Sequence, residues 1–88
     1  MSNAASLPQE IEETLRNNLT VTKFELIDES SYHIGHAGSK GGAKHYHLII
    51  NADEFADKSL VARHQMIYKL LGHFITNNQI HALRIQAG

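Results

Sequence analysis

The hydrophobic pattern of this chain changes period repeatedly, and the order of the changes leaves few folds open. Leu7, Ile11, Leu15 and Leu19 recur every four residues, the spacing of one helix face. Val21 to Asp28 (VTKFELID) then alternates, with Phe24 and Leu26 on one side and Lys23 and Glu25 on the other. From Glu29 to Lys44 (ESSYHIGHAGSKGGAK) the pattern disappears into a stretch holding four of the six glycines, which reads as a long mobile loop. His45 to Asn51 (HYHLIIN) alternates again: Tyr46, Leu48 and Ile50 share one face, His45, His47 and Ile49 the other. Leu60, His64, Ile67, Leu71 and Phe74 return to helical spacing, and Gln79 to Gln86 (QIHALRIQ) closes with His81, Leu83 and Ile85 on one parity.

Local signals bound these segments. Ser6 with Gln9 three residues on forms a capping box, Pro8 suits a first turn, and Glu10, Glu12 and Glu13 favour the positive end of a helix over 6–18. Ser59 can cap a second helix running to about Ile75, ended by Thr76-Asn77-Asn78. Asn51 to Phe55 reads as a turn or a short helical turn. The order is therefore αββαβ. The two alternating segments beside the glycine-rich loop pair antiparallel, and the helical passage before the last strand makes that strand parallel. The expectation is one α+β domain over 1–88, with a three-stranded mixed sheet and helices packed on one face. Its element order is similar to a type II KH domain. Met1 to Ala5 reads as a disordered or tag-derived leader, outside the fold argument.

Composition narrows the function classes. The absence of cysteine removes disulfides, thiol catalysis, zinc ribbons and any self-sufficient Cys-ligated iron–sulfur centre. A formal net charge of -1 argues against a protein that coats nucleic acid. No apolar run is long enough to span a membrane and no signal-peptide pattern opens the chain, so a cytoplasmic protein is expected. Ser39-Lys40 lacks an ordered base, Asp53-Glu54 is a turn pair, and the Gly38–Gly42 stretch matches neither a P-loop nor a dinucleotide fingerprint. No enzyme site is visible.

Seven histidines in 88 residues stand out. His64, inside the helical stripe, reads as a core-margin residue, and His73 in the last turn complements the helix dipole. His45 and His47 share a strand face, as exposed polarity or as a metal pair. His81 has the parity of Leu83 and Ile85 at a strand end, where its ring is only partly covered on the helix side. His33 and His36 lie on the loop and can swing toward it. One fixed and one mobile imidazole make an adjustable half-site that a partner must complete.

Several segments together resemble the BolA family: Asp28-Glu29-Ser30 followed by His33 and Gly38-Ser39, His45-Tyr46, Arg63-His64-Gln65-Met66-Ile67-Tyr68, and Ile80-His81-Ala82-Leu83. The resemblance covers nearly the whole chain after residue 20. It implies a KH-like α+β fold and a non-enzymatic adaptor that pairs with a monothiol glutaredoxin. The pair shares a 2Fe–2S cluster, held on the partner's side by cysteine and glutathione thiolates and on this side by histidine. By position His81 matches the C-terminal ligand and His33 the loop ligand, with His36 a competing loop imidazole. Cluster trafficking, assembly or iron sensing is the implied role.

The same resemblance implies an alternative, a DNA-binding transcriptional regulator acting through the helix–turn–helix-like region around the second helix. Lys58, Arg63 and Lys69 would supply the patch, with Tyr68 beside them. Asp53, Glu54 and Asp57 in the same neighbourhood oppose it, and Arg63 and Tyr68 also suit a protein contact. A homodimer bridging iron or zinc through His33/His81 pairs is a third arrangement.

Overall fold

The computed structural model describes residues 6–29 and 44–88. Helix α1 (Leu7–Asn18) starts where its local chemistry dictates. Ser6 is extended, its hydroxyl accepts from the Gln9 N–H, and the Gln9 side-chain Oε1 accepts from the Ser6 N–H at 2.9 Å, closing the capping box. Ile11 and Leu15, one turn apart, are fully buried. After Leu19 the chain passes into strand β1 (Val21–Asp28) at a junction held from a distance. The Glu54 carboxylate accepts from the Thr20 N–H at 2.8 Å and from the Thr20 hydroxyl at 3.0 Å.

Strand β1 pairs antiparallel with β2 (Lys44–Ala52), and β2 pairs parallel with β3 (Ile80–Ala87), which leaves β2 in the centre. The expected αββαβ architecture with a mixed three-stranded sheet is thus present. A 3-10 turn over Asp53–Phe55 and helix α2 (Leu60–Thr76) make the crossover. Ser59 caps α2, its hydroxyl accepting from the Ala62 N–H. Tyr46, Leu48 and Ile50 on the inner face of β2 meet Ile11 and Leu15 of α1 and Ile67, Leu71 and Phe74 of α2 in one apolar cluster, so both helices cover the same face.

The helical stripe in the sequence reaches further than the core does. Leu60, its first member, is 59% exposed, and burial on α2 begins at Ile67. Periodicity assigns a face to a whole helix, whereas burial needs neighbouring elements against each turn. His64 is half-buried, in keeping with a place at the core margin. The expected loop over Glu29 to Lys44 lies outside the described residues except at its ends: Lys44 already belongs to β2, and the Glu29 N–H donates to the His45 carbonyl at 2.7 Å.

The exit from α2 fixes where β3 begins. The Gln79 N–H donates to the Phe74 carbonyl and the Asn78 N–H to the Ile75 carbonyl, a Schellman arrangement with Asn78 left-handed at φ 63°. Asparagine tolerates that conformation better than other non-glycine residues. The Gln79 carbonyl then accepts from the Lys44 N–H, which sets the first rung between β2 and β3.

Candidate functional site

The pairing of β2 with β3 slips by one residue at its start. Lys44 stands opposite Ile80 but His45 opposite Ala82, so β3 contributes an extra residue there, His81. An extra residue re-aims its own side chain while the flanking residues keep their faces. Ile80 is 1% exposed in the core, and Leu83 and Ile85 resume the inner face, whereas His81 is exposed. The sequence reading placed His81 on the inner side with Leu83 and Ile85. The slip overturns that parity and turns the imidazole out at the sheet end.

There it meets His45. The two ring centroids are 4.9 Å apart with planes inclined at 45°, and His45 Nε2 is buried. Two imidazoles that share a metal at about 2.1 Å per bond have centroids roughly 5 Å apart, so this spacing suits a common ion or two adjacent positions of one cluster. Among the described residues no group of three or more His, Asp or Glu side chains could hold a metal. The donor set is therefore two imidazoles without a thiolate, which fits a metal group only if other ligands join. His33 and His36, the loop imidazoles of the sequence reading, lie outside the described residues.

His45 and His47, which share a strand face, have different neighbours. His47 turns to β3, where the Arg84 guanidinium donates to its Nδ1 at 3.3 Å and to the Glu29 carboxylate at 2.6 Å. Because arginine only donates, Nδ1 accepts, and the His47 proton sits on Nε2. Bonding to Glu29 raises the Arg84 pKa further and keeps it charged. Contact between His45 and His81 was not legible in the sequence, since it depends on the slip in register.

Of the second group of site residues, Lys58 and Lys69 are exposed. Arg63 turns inward: Nε donates to the Phe55 carbonyl and Nη1 to the Ala87 carbonyl, each at 3.2 Å. Tyr68 is 43% exposed, yet its hydroxyl donates to the Leu83 carbonyl at 3.0 Å. A shallow groove of about 260 Å³ between α1 and α2, lined by Asn18, Leu19, Met66, Lys69 and Leu70, contains no imidazole and is separate from the histidine pair.

This fold has known counterparts. Residues 15–88 match the family model for BolA-like proteins. The chain is 32% identical over 85 residues to a BolA-like protein of Dictyostelium discoideum, covering 97% of this chain and 72% of that one. It is 32% identical over 77 residues to the DNA-binding transcriptional regulator BolA of Escherichia coli strain K12, covering 88% and 70%. To SufE-like protein 1, chloroplastic/mitochondrial, of Arabidopsis thaliana it is 40% identical over 82 residues, which cover 88% of this chain but only 22% of that protein. The solved BolA domain of SufE1 from the same plant superposes with a TM-score of 0.80 at 38% identity, covering 97% and 93%. The chain belongs to the BolA family.

Proposed function

We propose that this protein is a non-enzymatic, cytoplasmic adaptor that docks a monothiol glutaredoxin and co-ligates a 2Fe–2S cluster through His81, with His33 or His36 from the loop. The role of the pair is cluster trafficking or assembly, or iron sensing. The observation that carries this reading is the extra residue in β3, which exposes the His81 imidazole against His45 at an open sheet end. A thiol-free chain cannot hold such a cluster alone, so the partner and its glutathione supply the thiolates, and imidazole in place of thiolate raises the cluster's potential. His45, half-buried behind His81, orients that ring.

Visible-region circular dichroism tests it. A cluster-loaded, glutathione-containing monothiol glutaredoxin is titrated with this protein and with its His81→Ala variant. The expected result is a new spectrum that saturates at one equivalent and differs in the variant. An identical spectrum from the folded variant would sink the ligand assignment.

A second reading, DNA binding around α2, is supported by the E. coli relative, a protein named as a DNA-binding transcriptional regulator. Arg63 bonds to backbone carbonyls, which leaves Lys58 and Lys69 as the exposed cations of that patch. Lys58→Glu with Lys69→Glu would then abolish a salt-sensitive complex. Wild-type binding no tighter than about 10⁻⁵ M at physiological salt leaves nothing for this reading to explain.

A further inference from the structure

The two edges of the sheet differ in what covers them. At β3 the Gly88 N–H donates to the Ile50 carbonyl, and with the parallel register this turns the carbonyls of Leu83, Ile85 and Ala87 outward. Tyr68 holds the Leu83 carbonyl and Arg63 that of Ala87, so a strand arriving there would have to displace both. At β1 the Glu29 N–H donates to the His45 carbonyl, and the antiparallel register then turns the backbone of Ile27, Glu25 and Lys23 toward β2. Phe24, Leu26 and Asp28 direct their backbone groups away from the sheet. Among the described residues, none bonds to the backbone of Phe24 or Leu26 on that side.

Side chains along the β1 edge are incompletely covered as well. Tyr46, Leu48 and Ile50 of β2 are buried, whereas Phe24 and Leu26, on the same face of β1, are only half-buried. Ile27 on the opposite face is also half-buried. Charge is divided along the strand. Lys23 near its start is exposed and pairs with no described residue, and the Arg16 guanidinium lies 5.8 Å from the Phe24 ring centroid. Asp28 and Glu29 stand at its end. Two such strands running antiparallel set the cationic start of each against the anionic end of the other.

One register about a two-fold axis meets these constraints. The outward backbone groups face each other only when the axis passes through a residue position. Pairing of β1 with β2 slips between Val21 and Lys23, so Thr22 is an extra residue and the strand is regular only from Lys23 onward. An axis at Phe24 sets Leu26 against that bulge. Axes at Glu25 or Asp28 oppose identical carboxylates, and an axis at Ile27 opposes Glu25 to Glu29. An axis at Leu26 pairs Leu26 with Leu26, Phe24 with Asp28, Glu25 with Ile27 and Lys23 with Glu29. The Glu29 carboxylate, already bonded to Arg84, keeps lone pairs for that ammonium.

We infer that β1 is a self-association edge: two copies of this chain join through antiparallel β1 strands about an axis at Leu26, merging their three-stranded sheets into one. The contact is short, which makes the dimer weak and concentration-dependent. It needs no metal. The two β3 strands end up on opposite sides of the joined sheet, roughly 24 Å apart at about 4.8 Å per strand, so the two His81 rings share no ion. The inference stands independently of the proposed function and leaves both histidine pairs open.

The test is sedimentation equilibrium of the full chain, with and without EDTA, at concentrations up to about 1 mM. Wild type is compared with Lys23→Glu, whose exposed position leaves the fold intact, as far-ultraviolet circular dichroism checks. The chain has no cysteine, so the thiol of a Leu26→Cys variant can pair only with that of a second copy. Paired strands put those two Cα atoms about 5.5 Å apart, within the span of a disulfide. Expected are a wild-type dimer that survives EDTA and one at least tenfold weaker in Lys23→Glu. Leu26→Cys should cross-link on mild oxidation, whereas Gln86→Cys, on β3, should not. A wild type that stays monomeric throughout overturns the inference, as does a dimer that EDTA dissolves. A dimer unchanged by Lys23→Glu, or a folded Leu26→Cys that dimerises without cross-linking, puts the contact elsewhere and overturns it too.

Discussion

Glu54 shows how much one side chain can hold in this protein. It belongs to the short 3-10 turn after β2, yet its two carboxylate oxygens close the joint between α1 and β1 through Thr20, 34 residues earlier in the chain. The backbone N–H of Thr20 is the main cause that lowers the Glu54 pKa below its ordinary 4.5, followed by the N–H of Glu54 itself. A carboxyl depressed in the folded state adds stability that is fully present above its unfolded value and disappears as the pH falls through the folded one. Glu54→Gln should therefore melt below the wild type at pH 7, and the two melting curves should converge on acidification below about pH 4. Thermal melts at a series of pH values decide it: a gap that persists undiminished into acid refutes the assignment. His81 gives the opposite expectation. Exposed on a slipped register, it is no part of the core, and His81→Ala should change stability by no more than about 0.5 kcal/mol, as a thermal melt of the metal-free protein would show.

At the scale of elements, the exit of α2 controls the geometry of the histidine pair. Asn78 is left-handed, and the two hydrogen bonds around it deliver Gln79 to the first rung against Lys44, just before the slip that exposes His81. Replacing Asn78 by valine forces a β-branched residue into that conformation and should cost about 1–2 kcal/mol, whereas Asn78→Gly should be neutral or slightly stabilising. Denaturant melts of both variants check this; equal losses in the two would mean that the side chain, not the backbone conformation, matters at this position. Such local devices are what a sequence displays. The Ser6–Gln9 capping box, the Ser59 cap and the stripe of Ile67, Leu71 and Phe74 depend on residues within a turn or two of one another, so pattern alone located them. The slip at His81 is a relation between two strands separated by a helix, and a period-two pattern carries no information about it. That is why His45 read as a partner for His47 rather than for His81. The inward turn of Arg63 was hidden for the same reason, since its acceptors Phe55 and Ala87 lie in other elements.

For the whole molecule, Arg63 is the residue that joins most of the architecture. From α2 its guanidinium forks to the turn that follows β2 and to the last residue of β3, so one side chain ties the start of the crossover to the far end of β3. A chain of this length has a folding free energy of roughly 4–13 kcal/mol, so a single tie of this kind is a noticeable share. Charged hydrogen bonds to carbonyls contribute about 1.5–3 kcal/mol, less here because Arg63 is only half-buried. Arg63→Met keeps the length and packing of the stem but leaves both carbonyls to water. It should cost about 2 kcal/mol and lower the melting temperature by roughly 10 °C. Arg63→Lys should recover little of this, because a single ammonium cannot span two acceptors in the fixed geometry of a guanidinium fork. A full rescue by lysine would show that charge alone holds the crossover, and a Met variant melting with the wild type would show that the fork holds nothing. The expected loss also decides how DNA binding must be tested. A charge reversal at Arg63 would loosen the end of β3 and weaken any complex indirectly, so only Lys58 and Lys69 can report phosphate contacts on an intact fold.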